Sequence, residues 1–496
     1  MLTVGQLRGK PSLLRSTMDL CNLKNTDDEA VLRRYLDACQ PRQRDYLVTL
    51  KESNHTATFI KTGGGKGRSL IQPFLRRCRE SVVVVDLAGE NALKAIHARR
   101  AMGKECILLD PYRVVTQYPD TFNPLDLIGE EHAIDDCREL ADALVIRPPG
   151  EKEPHWSDSA VINIGTILMG VAAMATPENR NLQYARSILC DTNWREQAIN
   201  DMCASPLWNG LISRMGKQLK NYQGKEANSV HTTIHRNLNF LDTTAIVEST
   251  TRSSFDIRDL LSGGLDLFLI QPPDRFKPQA ATMRTWIWSA LRVCVRGGFN
   301  NQNVHFLIDE AAAILPMDCV NDALDKYRKH NVKVHLFFQS MGQLKSAFPV
   351  DQGQTVLSNT DHIFTAPGDL DTGLYLNKRL GDFTLVSFSG SESIGGSEQR
   401  SPQGGSTSTS SNQTRSWQAH SRALKTPDEL MRMDPRWAIT FAGGARPILT
   451  WMCRYDENDF TPRRMPKWRL VLDAASLALT AAFLAFLWTA ILLKQR

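Results

Sequence analysis

Apolar positions fall into two regimes along the chain. From about His55, short runs rich in valine, isoleucine and phenylalanine alternate with helix-length polar stretches: TATFI (56–60), SVVVVDL (81–87) and ECILLDP (105–111). Such runs are rich in valine and isoleucine and end in Asp or Gly. They predict buried parallel strands joined by crossover helices. The alternation stops after about Asp126. From there to about Ala245 the spacing is helical, with Ala133, Cys137, Leu140, Ala141 and Leu144 on one stripe and SAVINIGTILMGVAAMA (159–175) as a more apolar second helix. Strand signals resume with LDLFLIQP (265–272), VHFLIDE (304–310), VKVHLFFQ (332–339) and DHIFTA (361–366), then FTLVSF (383–388) and WAITFAGG (437–444).

The pattern predicts an α/β domain in two parts, 55–127 and 246–460, interrupted by an all-α domain, 128–245. A polar, helix-patterned segment, 1–54, precedes it and carries no functional signal. Within the second part, residues 389–416 are rich in Ser, Gly and Gln and bury too little apolar surface to order themselves, so a mobile loop is expected there. The segment 470–493 stands apart. Ala474 to Leu493 carries no charge over about 20 residues, enough to cross a bilayer as a helix. Arg463, Arg464, Lys467 and Arg469 precede it and only Lys494 and Arg496 follow, which places the body of the protein in the cytoplasm. A C-terminal transmembrane helix is the expectation.

Composition narrows this little further. At 496 residues, 42% hydrophobic and 23% charged, the chain is neither fibrous nor wholly disordered, and a net charge of +6 permits contact with nucleic acid or anionic lipid without demanding it. The cysteines are scattered with no C-x-x-C pair, which excludes a zinc knuckle or a disulfide framework and fits a reducing cytosol. MLTVGQLRGKPSLL lacks the uninterrupted apolar core of a secretory signal.

Chemistry concentrates at strand ends. TATFI runs into Thr62, Gly63, Gly64, Gly65, Lys66 and Gly67, followed by a helix-length segment. Glycines let successive backbone N–H groups turn inward on phosphate oxygens, Lys66 adds a point charge, and the helix N-terminus adds partial positive charge. Against G-x-x-x-x-G-K-[ST], the first glycine is Ile60 and the final hydroxyl residue is Gly67, so the usual direct side-chain ligand of Mg2+ is missing and Ser69 lies two residues further on. ATP binding is expected, with the hydrolysis rate left open by the atypical loop. VHFLIDE ends in Asp309 and Glu310, where an acid can organise Mg2+ and a second can polarise a water, although a strand-end acid also serves as an ordinary helix cap. Gln339 ends VKVHLFFQ, suited either to sensing a γ-phosphate or to a plain strand-end hydrogen bond. Asp86 and Glu90 serve either the same pocket or the next helix as caps.

In this order the motifs resemble the type IV secretion system coupling proteins, the RecA-like ATPases of conjugative DNA transfer. Thr62, Gly65, Lys66 and Gly67, with Pro73 in the next helix, match that family's P-T-x-x-G-K-G loop, in which Gly67 is a common variant. Asp86 to Glu90 match D-P-K-G-E at its ends. FNPLDLI and HWSDSA (155–160) fall where the family enters its all-α domain, FLIDEAA matches its Walker B strand, and Gln339, Ser340, Gln343 and Leu344 match Q-S-x-x-Q-L. RALKTPDELMRM is similar to its R-P-L-L-T-P-D-E-L stretch.

The resemblance implies a RecA-like P-loop NTPase core with an inserted all-α domain. It implies ATP and Mg2+ as cofactors, with Lys66 on phosphate, Asp309 as the metal residue, Glu310 activating water and Gln339 reporting the γ-phosphate. Arg328, in DALDKYRKH, falls where related motors place an arginine that enters a neighbouring subunit's site, which implies a homo-hexamer; a solvated helix arginine is the plainer reading. The implied partners are DNA held independently of sequence, a relaxase or other secreted protein, channel proteins and the cytoplasmic membrane. Family members usually carry N-terminal membrane helices, whereas the apolar run here is C-terminal. Two rivals remain: an ATP-binding recruitment platform for protein cargo with weak hydrolysis, and a DNA pump of the chromosome-segregation type, which would be expected to carry a winged-helix tail.

Overall fold

A computed structural model describes residues 2–7, 46–50, 55–147, 151, 153–221, 225–299, 302–348, 350–399 and 406–457. The expected membrane helix at 470–493 lies outside the described residues.

The strands, in chain order, are β1 (Leu2–Leu7), β2 (Tyr46–Leu50), β3 (Thr56–Phe59), β4 (Ser81–Leu87), β5 (Glu105–Leu109), β6 (Leu265–Gln271) and β7 (Val304–Ile308). They continue with β8 (Val332–Phe338), β9 (Asp361–Phe364), β10 (Asp382–Gln399), β11 (Ser406–Ala423), β12 (Trp437–Phe441) and β13 (Ile448–Trp451). Eleven of them form one sheet in the order β2-β1-β13-β12-β9-β3-β8-β7-β4-β6-β5. From β9 to β5 every pairing is parallel, and from β9 outward through β12, β13, β1 and β2 every pairing is antiparallel. The central strands are covered on both faces. In SVVVVDL, Val83 and Val85 join the core shared with the helical block, while Val82 and Val84 pack with Leu70, Ile71, Phe74 and Ala92 on the other face. That two-sided burial is why the run shows no polar alternation.

Between β5 and β6 the described elements are helical: Ala133–Leu144, Pro154–Met174, Leu182–Cys190, Thr192–Ala204, Leu211–Lys220, Lys225–Leu238 and Thr244–Thr250, with short 3-10 turns at each end of the block. The helix Pro154–Met174 is long and apolar enough to cross a membrane, but 78% of its most apolar window is buried within the protein. It is the central helix of the block, with Ile164, Ile167, Leu168 and Met169 in the core.

Two expectations are corrected. The segment 1–54 contributes strands, since β2 pairs with β1 and β1 with β13, extending the sheet. Backbone pairing at a sheet edge needs only a few extended residues, so a short LTVGQL or YLVTL leaves little trace in periodicity. Residues 389–416 are expected as a mobile loop; their described part, 389–399 and 406–416, lies in a two-stranded ribbon whose register runs from Asp382↔Ala423 to Gln399↔Ser406. Its ladder is made by backbone groups, which Ser, Thr and Gln supply as well as apolar residues do.

Candidate nucleotide site

The parallel strands deliver their C-terminal ends to one edge, where the sequence-predicted loop begins. β3 ends at Phe59, anchored by Ile60 N–H donating to Phe338 O (2.9 Å) and Thr365 N–H donating to Phe59 O (3.1 Å). The chain then turns tightly, with Gly64 N–H donating to Lys61 O at 2.9 Å. Gly63 (φ 76°) and Gly65 (φ 91°) adopt the left-handed conformation that glycine takes without penalty. A Cβ on Gly64 would stand 2.7 Å from Ile60 Cγ1 and 2.9 Å from Lys61 O, so the loop has no room for a side chain there. The residue at the irregular motif position, Ile60, is thus part of what fixes the turn.

The following helix opens as a single π turn, Gly67–Ile71, with Gln72 N–H bonding Gly67 O, and continues as Gln72–Leu75. Pro73 has no N–H to give to Ser69, which accounts for the departure from the regular ladder. Ser69 is buried, lies against the loop through its N–H bond to Gly65 O (2.8 Å), and its hydroxyl oxygen has no hydrogen-bond partner.

Lys66 extends from this loop to the end of β7. Its Nζ is ion-paired with Asp309 and lies 3.4 Å from Glu310 Oε1. Gln339, just past β8, donates from Nε2 to both Glu310 oxygens at 3.0 Å. The backbone N–H of Gln339 is held in turn by Gln343 Oε1 at 2.8 Å. Glu310 sits at φ 55°, ψ 51°, a conformation uncommon for a non-glycine residue and found disproportionately at functional sites. Burial pushes the Asp309 carboxyl above its ordinary range, and Lys66 draws it back.

Of the predicted residues, Lys66, Asp309, Glu310 and Gln339 are therefore brought together with the loop 62–67, while Arg328 is not. Arg328 is exposed in the turn Tyr327–His330, ahead of β8, at the end of the sheet opposite Gln339. Asp86 is a helix cap: it accepts from Asn91 N–H (3.1 Å) and Ala92 N–H (2.7 Å), and burial raises its pKa to about 6. Glu90 is exposed and pairs with Lys94.

Two connections carried no sequence signal. Arg68 donates from Nε and Nη2 to Asp456 Oδ2 (3.1 and 2.6 Å) while its carbonyl accepts from Tyr455 N–H, so the C-terminal stretch of the domain lies on the loop helix. The buried Arg284 donates to the carbonyls of Asp142 (3.2 Å) and Ala143 (3.0 Å) in the helical block, and to those of Ile314 (3.1 Å) and Pro316 (2.6 Å), shortly beyond Glu310.

The model of the type IV secretory system conjugative DNA transfer family matches residues 15–475. The chain belongs to this family. Among relatives, it is 25% identical over 432 residues to the conjugal transfer protein TraG of Rhizobium radiobacter, covering 83% of this chain and 65% of TraG. It is 25% identical over 352 residues to the coupling protein VirD4 of Bartonella henselae, covering 67% of this chain and 54% of VirD4. The chain thus spans less than two thirds of the length of these relatives. The solved structure of the conjugative coupling protein TrwB superposes with TM-score 0.61 at 17% identity, covering 82% of this chain and 86% of that one. TrwB with ADP and Mg2+ superposes with TM-score 0.57 at 16% identity, covering 82% and 87%. The TrwB-like fold, a RecA-like P-loop core, is shared by this chain.

Proposed function

We propose that this family member is a coupling ATPase of conjugative type IV secretion, using ATP and Mg2+ to move DNA, with any attached relaxase or other protein cargo, toward a transfer channel. The observation that carries the reading is the convergence of Lys66, Asp309, Glu310 and Gln339 on the glycine loop at the C-terminal ends of β3, β7 and β8. TrwB has been captured with ADP and Mg2+ and with ATP and GTP analogues, which supports the same cofactors here.

The residues present fit such a group. The loop N–H groups and the helix start form an anion cradle. The Lys66 ammonium, now held by two carboxylates, is placed to exchange them for phosphate. Asp309 supplies an oxygen donor for a hard cation, and the unpaired Ser69 hydroxyl, which faces the loop at Gly65, is a second oxygen donor in place of the one missing at Gly67. Bound Mg2+ would neutralise charge on the phosphates and orient them. Glu310 accepts the proton of the attacking water, and the two bonds from Gln339 fix the orientation of its carboxylate. Arg328 lies too far from its own chain's site to act there, so the reading assigns it to a neighbour's γ-phosphate in a homo-hexamer. DNA contact through the phosphate backbone accords with a mild basic excess. Residues 470–493 are read as a membrane span holding the ATPase body on the cytoplasmic face of the inner membrane.

The test is ATP turnover by the purified full chain in detergent, with and without single- and double-stranded DNA. The expectation is DNA-stimulated turnover that Lys66→Ala abolishes. Turnover no different from that variant, with ATP still bound, would favour the recruitment platform.

A further inference from the structure

At the opposite end of the sheet from the nucleotide site, three different donor types meet. Cys78 lies in the turn after the loop helix, Glu80 immediately precedes β4, and His305 is the second residue of β7. Val82 and His305 are register partners, so Glu80, two residues before Val82, projects from the same face as His305. One ligand atom from each of Cys78, Glu80 and His305 lies within 4.8 Å of the others. Glu80 Oε2 is 2.6 Å from His305 Nε2 and 4.0 Å from Cys78 Sγ.

We propose that Cys78, Glu80 and His305 form a binding site for a zinc-class divalent cation, separate from the nucleotide site. In a tetrahedral zinc site, bonds of about 2.0–2.3 Å set neighbouring ligand atoms about 3.3–3.6 Å apart, and the two distances here straddle that spacing. Rotamer adjustments of Glu80 and Cys78 close the difference. The charges also balance: one thiolate, one carboxylate and a neutral imidazole neutralise a divalent ion, which a buried cation requires. On binding, the Cys78 thiol releases its proton to solvent and its sulfur lone pair makes the metal bond. Glu80 is about a third exposed, at 31%, which leaves an entry path and room for water as the fourth ligand.

The second layer is what separates this cluster from a chance grouping, because each donor is already oriented. His305 Nδ1 pairs with His335 Nε2 at 2.9 Å, and His335 Nδ1 with Thr56 Oγ1 at 2.9 Å. Thr56 and His335 are register partners on β3 and β8. This chain of bonds is satisfied in either sense. With metal absent, it runs from Thr56 through His335 to His305 and ends on Glu80. With metal on His305 Nε2, both ring protons shift to the other nitrogens and the chain ends on the Thr56 oxygen, each ring staying neutral. Asn303 donates to Glu80 Oε1, leaving Oε2 for the ion. The fully buried Arg99 grips the carbonyls of Cys78 and Glu80, its own charge met by Asp266 at 2.6 and 2.7 Å. Outer partners of this kind are what metal sites use to fix their ligands. Asp309 lies four residues along β7 from His305, about 13 Å at strand spacing, so the cation cannot be shared with a nucleotide.

Cobalt(II) added to the chelator-stripped full chain tests this. The expected result is one equivalent bound, with the intense visible bands of four-coordination and a charge-transfer band from one sulfur, both displaced by zinc. Cys78→Ser should abolish the charge-transfer band while leaving ATP turnover and the circular dichroism spectrum unchanged. His335→Asn, which touches no metal, should keep the band and weaken affinity about 10- to 100-fold. Absence of the band from the unsubstituted protein overturns the proposal even if Cys78→Ser fails to fold, and so does a band that persists in that variant.

Discussion

The two ends of the central sheet handle charge in opposite ways. At the C-terminal ends of the strands, Lys66, Asp309, Glu310 and Gln339 are part-exposed, and two acids share one ammonium and one amide. At the N-terminal ends, most polar groups are buried: Arg99 with Asp266 and three backbone carbonyls, and Thr56 with His335 and His305, a chain that reaches the part-exposed Glu80. The first arrangement keeps its partners exchangeable, as the proposed triphosphate site requires. The second binds the turn before β4 to β6, so that end serves as the fixed frame. Strand direction explains the division, since parallel strands bring loops with free N–H groups to one edge only.

The comparison breaks most visibly if an active-end substitution costs stability rather than rate. Glu310→Gln keeps the shape and one of the two bonds from Gln339 but cannot take a proton. Turnover should fall by about 10²–10⁴ in steady-state assays, with the urea midpoint unchanged. A large loss of stability would mean that the acid pair is structural.

Next in size is Arg99→Met. Removing one partner of a fully buried ion pair strands the Asp266 carboxylate, at a cost of about 3–5 kcal/mol read from urea unfolding. Lys66→Met, the matching loss at the exchangeable end, should cost well under half of that. Equal costs would erase the distinction between the ends.

How far the sequence reveals these features follows from which groups make the contacts. The parallel strands are legible because burial on both faces leaves an unbroken apolar run, as in SVVVVDL. The convergence of the loop 62–67, Asp309–Glu310 and Gln339 is legible because the proposed chemistry calls for particular side chains at strand ends. Arg284 does not advertise itself. Its acceptors are four backbone carbonyls from segments distant in sequence, and a carbonyl looks the same whichever residue carries it. The edge strands β1 and β2 and the ribbon β10–β11 escape for the same reason, being joined by backbone ladders. Arg328 is legible only as a motif position, since its proposed target belongs to another subunit.

Acidification should pull on the two ends with opposite signs. Burial lowers the pKa of His55, at the start of β3, to about 4 from 6.5. Between those values the unfolded chain takes up a proton that the folded chain refuses, so stability falls as pH drops from about 6.5 toward 4. His231 (about 4) and His362 (about 3) act in the same direction. Burial raises Asp86, near the end of β4, to about 6 from 3.8, so the folded chain binds that proton first and stability rises over the same interval. With more groups on the histidine side, the urea midpoint should decline from pH 7 to pH 4.5. His55→Gln should flatten the decline and Asp86→Asn should steepen it. A midpoint indifferent to both substitutions would show that neither group is held as the geometry implies.

The smallest effect should come from Arg68→Ala, and its value lies in where it is small. Arg68 is exposed, and its pairing with Asp456 and Glu457 is open to solvent, so screening leaves little net stabilisation and the urea midpoint should not move. The same contact nevertheless holds the segment Cys453–Glu457 against the first turn after Lys66, with Arg76 stacked over the Tyr455 ring at 4.8 Å. Losing it loosens that segment, which keeps the Tyr455 backbone bond and the Arg76 stacking, without touching Lys66. Limited proteolysis should therefore cut near Asp456 faster in Arg68→Ala, and added ATP should protect the cut site less than in the unsubstituted protein. If protection by ATP is the same in both, the exchangeable end of the sheet stops at the loop helix and the stretch beyond Trp451 belongs to the fixed frame.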